Sequence, residues 1–539
     1  NFEVFEDGQN AKTRLTIVTG GKVGINCTNP QTKFVVQHTD GGSGIEYSLG
    51  ASLNYLQSYD RSVSDYIALK IDGEDIRFGT NDGSEKMRIS SDGDVYNYQS
   101  ANRANTFYGY AAGDYTATGG SNTFMGYNCA NNLTTGAGNT GIGRDVFITT
   151  LTGSNNTAVG MAALQDVTSG GNNVAVGKDA GKDLTTGSVN TLIGDSAGSL
   201  LTTASSTSAM GFAALSSLTT GVDNIAIGRS AASFLSTGGY VIALGNYAAD
   251  ALTTTGVTTA IGFNALTTST AGDNVAIGHT AAQLVTTGTL NTFLGNYAGR
   301  NVTTASYGMF LGRTAGNAHT TGAEPFYIGY DAGQAVTTGD HNTAIGTSSM
   351  TYGNGSHNTY VGWQAGFGAN GQSCSFNTGV GKQALRNAST GSSNTSLGYR
   401  AGYVLNTGSN NVFIGVQAGQ AQTSASETVA IGVDALTSNV TGTQNCAVGF
   451  KALNDNTGNY NTSVGYRTMQ GNTSGGENAA FGRYAMYVNT TGSGNTALGN
   501  AALHQATTDF NTAAGYLALY SQTTGEQNTT VGAYAGYLV

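Results

Sequence analysis

The sequence predicts an all-β fold: a repetitive β-solenoid or β-roll fibre of about 26 coils, with a small N-terminal β-hairpin module. Three observations predict it. A glycine preceded by an apolar residue recurs at a nearly fixed period through most of the chain; the composition joins abundant glycine to few charges; and side chains around each recurring glycine alternate with the period of a strand.

The recurring glycines run Gly109, Gly126, Gly143, Gly160, Gly177 and onward to Gly532. Of their 25 intervals, 20 are 17 residues, four are 16 and one, Gly362 to Gly381, is 19. The idealised unit reads N-T-A-[IV]-G-x-x-A-[GL]-x-x-[LV]-T-T-G-x-x. Seventeen residues cannot bury a core alone, so neighbouring units must stack. With coils about 4.8 Å apart, 26 of them span roughly 125 Å. The odd intervals are expected to be absorbed as deletions or bulges at a corner.

Within the unit, the residue before the anchor glycine is apolar in all 26 copies, as in Val159, Ile193, Ile227, Leu294 and Phe481. Two residues earlier stands Thr, Val or Ile in most copies, on the same face of a strand. The position between is Ala in 13 copies and Phe in five, so the opposite face is apolar too. A strand apolar on both faces is expected to be buried on both. One face can line the coil's own core, and the other is expected to be covered by another copy of the chain.

Four residues before the anchor stands Asn in 20 of 26 copies, including Asn105, Asn122, Asn139, Asn156, Asn173 and Asn190. We read these as a structural ladder in which amides hydrogen-bond from rung to rung and allow the turn. The Thr-Thr-Gly run, as at Thr134 to Gly136 and Thr185 to Gly187, predicts a second corner with its glycine at positive φ. After the anchor, Ala at the third position and Leu or Gly at the fourth suit a second short strand, with a helical turn as the alternative. The ten glycines at the fourth position weaken the helical reading.

Residues 1–100 differ from the array at 101–539, holding 14 of the 32 acids and 9 of the 22 basic residues. Runs such as Arg14 to Val18 and Lys33 to Val36, with turn signals at Gly20-Gly21 and Asn29-Pro30, read as a β-hairpin module. A second set, Lys86 to Ile89 and Val95-Tyr96, flanks Asp92-Gly93-Asp94.

Two resemblances follow from these residues. The run Gly20 to Asn26, with Asn29-Pro30 and Lys33 to Val36, resembles the "G-N-V-G-I-G-T-x-x-P…K-L-x-V" module of bacteriophage tail fibres. Glu85 to Val95 looks like their "E-R-M-R-I-x-S-x-G-N-V" motif, with Tyr96-Asn97-Tyr98 where another G-I-G usually follows. The repeats are similar to those of phage fibres and to the "N-S-V-A-I-G" repeats of trimeric autotransporter adhesin heads of the YadA type. The resemblance implies a homotrimer on a virion tail or otherwise extracellular, partnered by other virion tail proteins and directed at a host surface glycan or protein. A bacterial adhesin or extracellular filament of similar repeats is the alternative, and a glycan-cleaving tailspike enzyme the weakest.

Composition narrows the function classes. Charged residues are only 10% and the formal net charge is −10, with no basic stripe to neutralise phosphates, so no nucleic-acid partner is expected. Two prolines and no Gly-X-Y period exclude collagen. No 18-residue apolar run predicts membrane insertion. Asn1 in place of Met, and a last repeat without a polar cap, suggest a piece of a longer product. Cys27, Cys129, Cys374 and Cys446 lie far apart and read as small buried residues. The histidines sit at scattered repeat positions, although His341 and His357 could stack. No catalytic residue, metal or cofactor is expected. Tyrosine is frequent one or two residues past the anchor, and Trp363, Tyr399 and Tyr466 are the residues proposed for glycan contact. Trp363 borders the 19-residue interval, the irregular spot in the array.

Overall fold

The computed structural model describes nine strands between residues 2 and 97, and residues 105–538 apart from 115, 255, 370 and 371. The chain divides into two compact units, 1–102 and 103–539, each described by itself. Cys27 and the Asn29-Pro30 turn lie outside the described residues.

In the first unit, β1 (Phe2–Phe5), β2 (Thr13–Val18), β3 (Lys22–Ile25), β4 (Phe34–Gln37), β5 (Ser43–Leu49) and β6 (Asn54–Asp60) form one sheet in chain order. Neighbours are antiparallel except β3 and β4, which pair in parallel through Val23↔Phe34 and Ile25↔Val36. Parallel pairing means that β3 and β4 do not form the hairpin expected from the turn residues between them. The strands β7 (Ile76–Gly79), β8 (Glu85–Ile89) and β9 (Val95–Asn97) make a separate antiparallel sheet, as the second set of signals predicts.

The second unit is a parallel β-solenoid. Twenty-six strands, from β10 (Thr106–Tyr108) to β35 (Thr529–Val531), lie in one sheet in strict chain order, one strand per coil. Registers are identical from coil to coil, as in Thr140↔Thr157, Gly141↔Ala158 and Ile142↔Val159. The 19-residue interval leaves the sheet unbroken: Thr359↔Thr378 and Val361↔Val380 remain in register, with the two extra residues outside the strands.

The middle residue of each strand points inward. Ala158, Ala175, Phe293, Phe310, Tyr327 and Phe413 are fully buried. The flanking residues point outward, and the row before the anchor glycine is part-exposed in the single chain: Ile227 is 42 % exposed. Inside the coil the strand faces Ala163, Leu164 and Val167 and their equivalents, which complete a thin continuous core.

The segment after the anchor is neither a second strand nor a helical turn. The residues two and four past the glycine adopt left-handed backbone in every coil, as Ala162 (φ 57) and Leu164 (φ 46) or Asp179 (φ 54) and Gly181 (φ 58). Left-handed residues at alternate positions break the pleat of a strand and the screw of a helix alike. Ladder bonding continues nonetheless. The Ala162 N–H donates to Arg144 O on the coil before at 2.9 Å, and the Leu164 N–H to Ala180 O on the coil after at 3.0 Å.

A size rule links this segment to the strand. Where the inward strand residue is large, the residue four past the anchor is glycine in all coils but one: Phe107 with Gly113, Phe293 with Gly299, Phe310 with Gly316, Tyr327 with Gly333, Tyr360 with Gly366, Phe413 with Gly419; the exception is Phe124, which faces the small Ala130. Where it is Ala, that position is usually Leu, Met or Ala, as in Ala158 with Leu164 and Ala344 with Met350. A Cβ on Gly366 would stand 2.5 Å from the Tyr360 ring. Six of the ten glycines at this position are thus space for a ring on the facing strand, at a backbone angle glycine adopts without strain, while Gly181 and Gly198 lie against Leu192 and Gly402 against Phe413 of the next coil.

The anchor glycine has its own cause. Gly194 has φ +135, and a Cβ there would lie 2.5 Å from Gly211 O on the next coil. The Thr-Thr-Gly corner differs from expectation: Gly136, Gly153 and Gly187 are not at positive φ. They are small because the next coil's backbone approaches; a Cβ on Gly136 would lie 2.5 Å from Gly153 O.

Candidate functional site

The asparagine positions are brought together as one column. Asn156 is fully buried; its backbone N–H donates to Asn139 Oδ1 at 2.9 Å and its Nδ2 to the same oxygen at 3.1 Å. The Nδ2 also donates to Gly170 O at 2.9 Å, tying the strand entry to the opposite corner of the same coil. Asn173 repeats the pattern on Asn156 at 3.0 Å, and Asn190 repeats it on Asn173 at 3.0 Å. Asn105, Asn122 and Asn139 belong to the same run, through Asn122 on Asn105 at 2.9 Å and Asn139 on Asn122 at 2.8 Å. A buried amide with donors and acceptor occupied holds the chain's turn where no water can serve it. At Thr207 the column loses its carboxamide, and the hydroxyl turns to Ser205 O at 3.3 Å.

The aromatic candidates separate into two groups. Trp363 and Tyr399 stand one residue past their anchors, two coils apart, and both are part-exposed. Lys382 occupies the coil between, its Nζ 4.8 Å from the Trp363 ring centre and 5.8 Å from that of Tyr399. Five residues past the same anchors, Arg386 lies between Phe367 at 5.0 Å and Tyr403 at 5.7 Å. Arg400 sits against Tyr399 at 5.2 Å and Tyr403 at 5.0 Å, joining the columns. The two arginines are oriented by glutamines: Arg386 Nε donates to Gln364 Oε1 at 3.2 Å, and Arg400 Nε to Gln383 Oε1 at 2.9 Å.

Tyr466 lies four coils beyond Tyr399, in a second cluster. It stacks on Phe450 at 5.3 Å, meets Tyr484 edge-on at 5.6 Å, and has Arg467 at 5.4 Å. The basic members of both clusters were not singled out from the sequence. The signal for the first was there: Phe367, Arg386 and Tyr403 share one repeat position in three successive coils.

On another face, five residues before the anchors, His341 and His357 stack at 4.9 Å and Phe376 continues the column at 5.1 Å. A groove of about 540 Å³ opens on that face between Tyr460 and Phe510, where Gly494 supplies no side chain and Glu477 stands between. Among the described residues, no three of His, Cys, Asp and Glu come close enough to hold a metal ion.

A few titratable groups lie among the apolar side chains of the core. Burial pushes the Cys129 thiol up to about 12, and raises the Tyr327 phenol as well. Cys374 is buried beside Tyr360, sulfur to hydroxyl 3.8 Å, while Cys446 is only half-buried. His319 takes a core position that many coils give to Val or Leu and others to a buried Asn or Gln, as at Asn439 and Gln422; burial holds its imidazole below its ordinary value of 6.5. No helix among the described residues is long and apolar enough to cross a membrane. No protein-family model, curated protein or solved structure matches the chain.

Proposed function

We propose that the chain is a structural fibre protein, a trimeric segment of a bacteriophage tail fibre used for attachment to a host surface. The observation that carries the reading is the outward row of the 26-stranded sheet. The coil already has a core of its own, yet Ile142, Ile193, Ile227, Leu294 and Leu397 project from the other face, part-exposed, along successive coils. Soluble monomers rarely expose apolar patches larger than roughly a few hundred Å². A row running the length of the array calls for a cover of the same length and period, which further copies of the chain supply. Three copies around an axis parallel to the stack bury the row from every chain. The resemblance of residues 20–36 and 85–95 to tail-fibre motifs supports the phage setting.

Serum raised against the purified chain, followed by gold labelling and electron microscopy, tests the setting. Label along virion tails is the expected result. Label confined to bacterial cell surfaces would replace the phage reading with that of a cell-surface adhesin.

A further inference from the structure

The coils anchored on Gly362, Gly381 and Gly398 carry a grid of rings, glutamines and cations. Its columns read Trp363, Lys382, Tyr399; Gln364, Gln383, Arg400; and Phe367, Arg386, Tyr403. The chain as a whole is acidic, at −10, but between Asp340 and Glu427 there is no Asp or Glu at all. Lys382, Arg386 and Arg400 are the only Lys or Arg in that stretch. Arg144 and Lys178, by contrast, have carboxylate partners, Asp145 at 2.8 Å and Asp179 at 3.2 Å, whereas Arg300, Arg313, Arg467 and Arg483 also rest on ring faces, in stretches where acids lie nearer along the chain. Among the described residues no ion pair involves the three grid cations.

Three like charges on two neighbouring coils, Lys382 and Arg386 on one and Arg400 on the next about 4.8 Å along the stack, repel one another. A purely structural role would be served better by a carboxylate among them. The rings and glutamines fix the cations without neutralising them; Arg386 also donates through one terminal nitrogen to Asn387 Oδ1 at 3.1 Å, which leaves its other terminal nitrogen, and those of Arg400, for a ligand. On the coil before, the position equivalent to Trp363 is Thr347, which is small.

We propose that this face binds an anionic polysaccharide, a linear chain of acidic sugars lying along the stack. Sugar faces rest on the exposed parts of Trp363 and Tyr399, and carboxylates take Lys382, Arg386 and Arg400. A nucleic acid fits less well, because its evenly charged backbone would meet only three cations before reaching coils that carry acids. The inference rests on the fibre reading, in which this segment faces outward in the assembled protein.

Trp363 is the chain's single tryptophan among 28 tyrosines, so fluorescence excited at the red edge, where tyrosine does not absorb, reports on this face alone. The probes are polygalacturonate, its fully methyl-esterified form, and a single-stranded DNA oligonucleotide, each titrated into the full chain. The expected result is a saturable change with polygalacturonate, reduced by salt and absent with the neutral ester. Arg400→Gln weakens it about tenfold, as loss of one charge-assisted contact does. Lys382→Gln, whose side chain meets only ring faces, weakens it likewise and guards against a folding defect in the first variant. No response to polygalacturonate, an equal response to the ester, or tighter binding of DNA would overturn the proposal. The native mass of the same sample separates the two readings. A trimer that ignores polygalacturonate overturns this site alone, whereas a monomer that binds it keeps the site and removes the fibre reading.

Discussion

Asn156 shows how much of the array's organisation rests on single side chains. Its carboxamide accepts from the backbone and side chain of Asn173, and donates to Asn139 and to Gly170 O. Asn156→Ala removes these bonds and leaves the buried Asn173 N–H without its acceptor. The expected loss is about 2–4 kcal/mol, read as a lower urea midpoint and as protease cleavage near the altered coil. His319 is a second residue with a definite consequence. Its Nε2 bonds Gly322 O at 2.8 Å, Nδ1 is buried without a partner, and burial disfavours the charged ring. The folded state therefore takes up the proton less readily than the unfolded chain, whose value is near 6.5. The stability from His319 is complete above that value and falls as pH drops below it. His319→Leu should flatten the pH dependence of the melting temperature between pH 7 and 5; an unchanged slope would place the acid sensitivity elsewhere.

At the scale of one coil, the strand and the bent segment behind it share a fixed volume. Phe293 and Gly299 are one solution, and Ala158 and Leu164 another. Phe293→Ala should cost about 3–5 kcal/mol by opening a cavity. Adding Gly299→Leu should recover much of that, because leucine occupies the same left-handed position in other coils, for example Leu215 with φ 50. Urea unfolding of the two single variants and the double variant checks this; additive losses would refute the size rule.

This is also where sequence reading reached its limit. The strand, its period and the asparagine column were legible because they repeat with little change. The bent segment was not, because alternation of glycine with leucine looks like conflicting propensity until the facing ring is known. Its left-handed residues include Arg400, Tyr484 and Gln383, types that do not announce that geometry. The corner glycines misled for a related reason: glycine signals positive φ or close approach, and spacing alone does not distinguish them. At the candidate site, single aromatics such as Trp363 stood out by rarity. The cations between them became visible only once coils 17 and 19 residues apart were laid over one another.

For the whole array, one strand per coil and a shared register make each coil both template and cap for its neighbours. Such a stack gains stability with length, and its outward apolar row lengthens in step. The inner core explains why a coil holds its shape, but not why the outer row is Ile, Leu and Val in place of Thr or Lys. The proposed association of copies along that row would account for both the row and its regularity. Native mass spectrometry of the purified full chain at micromolar concentration tests it most directly. A species of three chains is the predicted result; a soluble, stable monomer would contradict it.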